Sequence, residues 1–227
     1  GDITWSMTDK TELTIGGRFS HDNKKFGLNL PEPDGWLGHY WLVGGHTGGQ
    51  WLEQEENWSE FTPRVALNHA LTDDINIYAN YSRGYKAGGA NTDGSLPNEL
   101  RTFAPEYLLN YEVGYKVSLL DNNAYLRTAA FYMDRSDMQV NSSKTIERED
   151  GSSEFISYLG NAASGSNYGI EFEGAWYLND FVNVYGSLGL LESEFNDFVN
   201  ADGVSLDGRE QAHAPNYQFN IVPNEKY

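Results

Sequence analysis

At 227 residues the chain is long enough for one large β domain or two ordinary ones, and its 24 glycines and 14% aromatic content suit strands and turns better than helices. A formal charge of −18 argues against nucleic acid, which proteins hold by neutralising phosphates, and fits a solvated surface or loops that gather cations. The absence of cysteine excludes disulfides and thiolate metal sites, and with no run of about 18 apolar residues there is no transmembrane helix. A mean hydropathy of −0.58 still permits a membrane, because a spanning strand needs only about 9–11 alternating residues. No signal peptide is visible ahead of "GDITWSM", so the chain reads as a mature protein or a piece of one.

In chain order, the first alternating run is "LTIGGRF", with Leu13, Ile15, Gly17 and Phe19 opposite Thr14, Gly16, Arg18 and Ser20. A loop over 31–58 follows, in which Trp36, Tyr40, Trp41, Trp51 and Trp58 are interleaved with glycines, His39 and His46. "INIYANYSRGYKAGG" sets Ile75, Ile77, Ala79 and Tyr81 against Asn76, Tyr78, Asn80 and Ser82, then changes into Arg83, Gly84, Tyr85 and Lys86. "LLNYEVGYKVSLL" sets Leu109, Tyr111, Val113, Tyr115, Val117 and Leu119 against Asn110, Glu112, Gly114, Lys116 and Ser118. "YGIEFEGAWYL" sets Tyr168, Ile170, Phe172, Gly174, Trp176 and Leu178 against Gly169, Glu171, Glu173, Ala175 and Tyr177. These runs exceed the usual strand length of about 5–6 residues in soluble sheets.

Short polar turns stand at 8–10, 72–74, 121–123 and 179–180, and long stretches without alternation at 23–56, 87–104, 142–164 and 196–214. In an antiparallel sheet that alternation puts every short turn at one end and every long loop at the other, as in outer-membrane barrels. A soluble sandwich would turn the apolar face to a core, and alternation alone does not separate the two. Strand length, loop asymmetry and aromatics near strand ends favour an all-β, antiparallel transmembrane β-barrel portion of about nine long strands.

Four segments carry a family resemblance. "WSEFTPRVALNHALTDDINIYANYSRGYKAGGAN" (58–91), "FAPEYLLNYEVGYKVSLLDNNAYLRTAAFYMDRSDMQV" (103–140), "NAASGSNYGIEFEGAWYLNDFVNVYGSLGLLESEFNDF" (161–198) and "LDGREQAHAPNYQFN" (206–220) resemble, in the same linear order, consecutive barrel hairpins of TonB-dependent outer-membrane receptors. The resemblance implies a barrel of about 22 strands around an N-terminal plug. The expectation is that 1–227 is a partial barrel, with the plug and the closing strands outside this chain. It also implies function: a scarce ligand, foremost an iron–siderophore complex, binds in the outer vestibule of a Gram-negative outer membrane, and TonB drives its release through the plug. Partners would be TonB, the small-molecule ligand, outer-membrane lipid and lipopolysaccharide. A passive porin-like barrel and a soluble carbohydrate-binding sandwich are the alternatives.

Candidate residues follow. Trp36, His39, Tyr40, Trp41, His46 and Trp51 form an aromatic loop that could stack on a flat ligand or simply pack against other loops. A basic residue facing mid-bilayer lipid costs roughly 2–4 kcal/mol, so Arg18, Lys116 and Arg127 are expected on the lumen side, with Lys86 at its mouth. Arg83 shares register with the apolar face and is tolerable only at the membrane interface, beside Tyr81, Tyr85 and Trp176. Metal and enzyme readings fare poorly. The spacing of His39 and His46 matches no usual ligand pattern, and Asp197, Asp202 and Asp207 do not satisfy a calcium loop. Glu171 and Glu173 read as wall lining, no catalytic motif is present, and no cofactor is implied.

Overall fold

A computed structural model describes residues 1–29, 49–93, 96–147, 151, 153–200 and 203–225. Its strands are β1 (Asp2–Thr8), β2 (Thr11–Leu28), β3 (Leu52–Ala70), β4 (Ile75–Lys86), β5 (Gly89–Ala90), β6 (Thr102–Phe103), β7 (Glu106–Leu119), β8 (Ala124–Glu147), β9 (Ser153–Tyr177), β10 (Val182–Phe198) and β11 (Tyr217–Glu225). Nine of them form one sheet in the order β1-β2-β3-β4-β7-β8-β9-β10-β11, every neighbouring pair antiparallel. β5 and β6 form a separate two-stranded ribbon within the connection from β4 to β7.

Register carries one apolar face across all nine strands. Ile3 pairs Ile15, Ile15 pairs Val65, Val65 pairs Tyr81, and Tyr81 pairs Tyr111. The row continues through Tyr111↔Tyr132 and Tyr132↔Tyr168; two residues further along β9, Ile170↔Leu190 and Leu190↔Tyr217 carry the same face to β11. Among the described residues this face stays largely uncovered: Ile15 is 56% exposed, Tyr111 48% and Tyr217 73%. An apolar face of this extent left open requires an apolar surrounding. On the opposite face the same strands present Arg18, Asn80, Glu112, Lys116, Arg127 and Glu173, since side chains alternate with period 2.

At one end the connections are tight. Thr72 Oγ1 accepts the Asp74 and Ile75 amides, and Asn179 Oδ1 accepts those of Phe181 and Val182, so short polar side chains close the turns. The 120–123 turn holds Leu120, Asp121 and Asn122 at positive φ, between 53° and 68°. At the other end the strands run on into both expected loops: 142–164 is mostly strand, and 23–56 is strand at 23–28 and 52–56. β2 and β3 stay paired to Leu28↔Leu52, and β8 and β9 to Glu147↔Ser153, where loops over 23–56 and 142–164 were expected. Outside a membrane both faces of a hairpin meet water, so polar residues occupy both and the alternation vanishes while the backbone ladder persists. Among the described residues, four of the five buried hydrophobic side chains, Leu96, Met138, Ile156 and Ala163, belong to this loop end.

Candidate functional site

The connection between β4 and β7 is a folded element that lies against β8 and β9. The β4–β7 ladder ends at Lys86↔Glu106. Glu106 is nearly buried, its side chain 10% exposed; it is bound by Arg135 and receives the Gln139 amide at 3.0 Å, with Lys86 Nζ at 3.8 Å. A bulge in β8 between Arg135 and Gln139, with Asp137 at φ 53°, aims that amide at the carboxylate. Desolvation opposes ionisation, yet the Arg135 and Gln139 hydrogen bonds and the two cations together hold the Glu106 carboxyl below its ordinary value.

Three carboxamides fasten the rest of this connection. Asn91 accepts the Leu159 amide at 2.9 Å and donates to the carbonyls of Leu159 and Leu100. Asn161 accepts the Ala104 amide at 2.6 Å and donates to the Ala104 and Asp137 carbonyls. Gln139 Nε2 donates to Ala87 and Ala104. From the other side Lys24 donates to the Gly88 carbonyl at 2.7 Å and lies over the Trp58 ring. Gly88 is required here, because a Cβ would stand 2.3 Å from the Phe103 carbonyl and 2.6 Å from Trp58.

Below this element the polar wall carries a concavity of about 280 Å³. Tyr78 donates to Glu112 at 2.7 Å, Lys116 lies over the Tyr78 ring, and Arg127 pairs Glu173 at 3.0 Å beside Glu171. The side-chain oxygens of Asn80, Asn110 and Asn167 are buried on this wall without a hydrogen-bond partner among the described residues.

A seam opens between β3 and β4 beyond Arg64↔Ser82, next to Pro63, which has no N–H to extend the ladder. Arg83 fills it, donating to Glu60 at 3.1 Å and to the Phe61 carbonyl, with its guanidinium 4.6 Å from the Tyr107 ring. Tyr107 donates to the same Glu60 at 2.6 Å, and Tyr85 donates to Asp22. The cation on the apolar register is thus matched by a carboxylate from the neighbouring strand.

Of the other candidates, Trp36, His39, Tyr40, Trp41 and His46 lie outside the described residues. Trp51 is 64% exposed. Tyr81 packs on Tyr111 at 5.3 Å, and Trp176 is exposed on the apolar face opposite Ala124. Asp202 is likewise undescribed, while Asp207 Oδ1 accepts the Phe198 amide. Sequence reasoning missed Glu60, Asn91, Glu106, Gln139 and Asn161. All five lie inside the quoted family segments, and for Glu106 a glutamate directly after a proline at a strand start was the available signal.

The profile of the TonB dependent receptor-like, beta-barrel family matches residues 1–227. The pesticin receptor of Yersinia pestis is 27% identical over 175 residues, 77% of this chain and 22% of that receptor. The metal-pseudopaline receptor CntO of Pseudomonas aeruginosa is 25% identical over 134 residues, 59% of this chain and 17% of that one. Among solved structures, the ferric yersiniabactin uptake receptor FyuA from Yersinia pestis superposes with a TM-score of 0.71 at 22% identity, covering 99% of this chain and 30% of that chain. The siderophore receptor PiuA from Acinetobacter baumannii gives 0.68 at 16% identity, covering 98% and 30%. The chain therefore spans about a fifth of the curated relatives it matches. The family and these relatives are receptors rather than enzymes, and its barrels belong to Gram-negative outer membranes. The nine-stranded sheet, open apolar face and polar wall are those of a barrel segment, and the chain belongs to the TonB-dependent receptor family as part of its β-barrel.

Proposed function

We propose that this chain supplies barrel wall and outer vestibule to an outer-membrane receptor that imports an iron–siderophore complex under TonB control. In this reading the plug and the remaining strands come from the rest of a longer polypeptide. The observation that carries it is the pinned 87–105 element standing over a polar wall whose reverse side is apolar and open. A wet chamber walled by strands and backed by lipid is what a ligand needs on its way across the membrane. The names of the relatives point to the same cargo class: ferric yersiniabactin for one, siderophore and ferric-catecholate for others.

The test is uptake of radio-iron presented as defined ferric siderophores. A strain lacking the parent gene should lose uptake of at least one of them and regain it on complementation. Uptake should also stop when TonB is deleted. Uptake that persists without TonB would replace this reading with a passive barrel.

A further inference from the structure

Above the apolar belt, the β2–β3 hairpin keeps an outward face with a different chemistry. Phe19↔Phe61 is the last apolar pair on that face. Beyond it come His21↔Ser59, Asn23↔Asn57, Lys25↔Glu55 and Gly27↔Glu53. Every one of these outward residues is exposed, whereas the alternate positions Asp22, Lys24, Phe26, Gln54, Glu56 and Trp58 are half-covered. The inner side is occupied, since Lys24 and Trp58 meet Gly88. The outer side carries a ladder of hydrogen-bonding groups: His21 with Ser59 at 2.9 Å, and Asn23 with Asn57 at 2.6 Å and Glu55 at 2.9 Å. At its top the Trp51 ring lies against Gly27, its Cζ3 and Cε3 3.1 and 3.2 Å from where a Cβ would stand, and Trp51 is 64% exposed.

We propose that this outward ladder docks the sugar portion of the lipids in the surrounding outer leaflet; it rests on the outer-membrane reading above. Height selects the partner. From Phe19 to Gly27 the strand rises roughly 27 Å at ~3.4 Å per residue, or about 19 Å with a 45° tilt. A phospholipid headgroup layer is only about 5–8 Å thick. Only a lipid bearing sugars reaches the upper rungs. Chemistry agrees: carboxamides, a hydroxyl and an imidazole match sugar hydroxyls, and a flat indole supported by glycine matches a sugar ring face. With Lys25 paired to Glu55 at 3.2 Å and Glu53 nearby, the ladder has no cationic cluster suited to phosphates.

The experiment uses the full-length receptor purified in detergent, with native mass spectrometry and titration against two probes. One is rough lipopolysaccharide carrying core sugars; the other is lipid A with its phosphates and no core. The variant is Asn23→Ala/Asn57→Ala/Trp51→Ala, with the inner-face variant Gln54→Ala as control, each checked for heat-shifted gel mobility. The triple variant should bind the sugar-bearing probe roughly tenfold more weakly than the parent and the control, with lipid A binding unchanged. Equal binding of the sugar-bearing probe by parent and triple variant overturns the proposal, as does an equal loss on lipid A. A receptor found in outer membranes whose ladder variants bind normally defeats this inference alone. A receptor absent from outer membranes defeats both readings.

Discussion

Replacing Glu106 with glutamine tests how the vestibule element is held. The substitution keeps the side-chain volume and removes the charge shared by Arg135, Lys86 and the Gln139 amide. Breaking a fully buried ion pair costs about 3–5 kcal/mol. Here Arg135 is 33% exposed and Lys86 63%, so solvent screens both and the expected loss shrinks to about 1–3 kcal/mol. At about 2 kcal/mol the local opening of 87–105 becomes roughly thirtyfold more frequent. Hydrogen exchange on the full receptor reads this directly, at the Asn91 amide bonded to Arg101 and the Leu159 amide bonded to Asn91. Both should exchange faster while amides in the middle of β7 do not. Unchanged exchange at Asn91 and Leu159 would show that the carboxamides hold the element without Glu106, and the reasoning would fail.

Other expectations concern the same architecture. Because Glu106 titrates below the ordinary 4.5, its contribution is complete above that pH and is lost as pH falls through the lowered value; exchange of the element should accelerate in that acid window in the parent but not in Glu106→Gln. Gly88→Val places carbon against the Phe103 carbonyl and Trp58, so it should displace the element and lower ligand affinity by tenfold or more in a binding titration, with strand content by circular dichroism unchanged. Val113→Arg on the apolar face should cost about 2–4 kcal/mol in folding into lipid vesicles, followed by gel mobility. Ala129→Arg on the polar wall should fold nearly as well as the parent.

The spanning halves of the strands were legible because two solvents act on them at once. Along β4, β7 and β9 lipid on one side and water on the other impose a period of 2, and Ile77, Val113 and Ile170 can be read straight from it. Once the hairpins leave the membrane that constraint ends, and the outer parts of β2, β3, β8 and β9 read as loop although they are paired throughout. The vestibule was less legible still. Asn91 meets Leu159 across 68 residues and Asn161 meets Ala104 across 57, contacts that no local pattern announces. Arg83 shows both sides. Its register with the apolar face was visible, but its partner Glu60 depends on the seam beside Pro63, which only the pairing reveals.

One face of this sheet should meet lipid and the other water. Single cysteines can be placed along β7 from Leu109 to Val117 in a cysteine-free background of the full-length receptor and labelled in outer-membrane vesicles; this chain contributes no cysteine of its own. A lipid-borne quencher should dim a fluorophore at 109, 111, 113, 115 and 117 and leave those at 110, 112, 114 and 116 bright. Even quenching at all nine positions, or quenching on the even set, would contradict this arrangement.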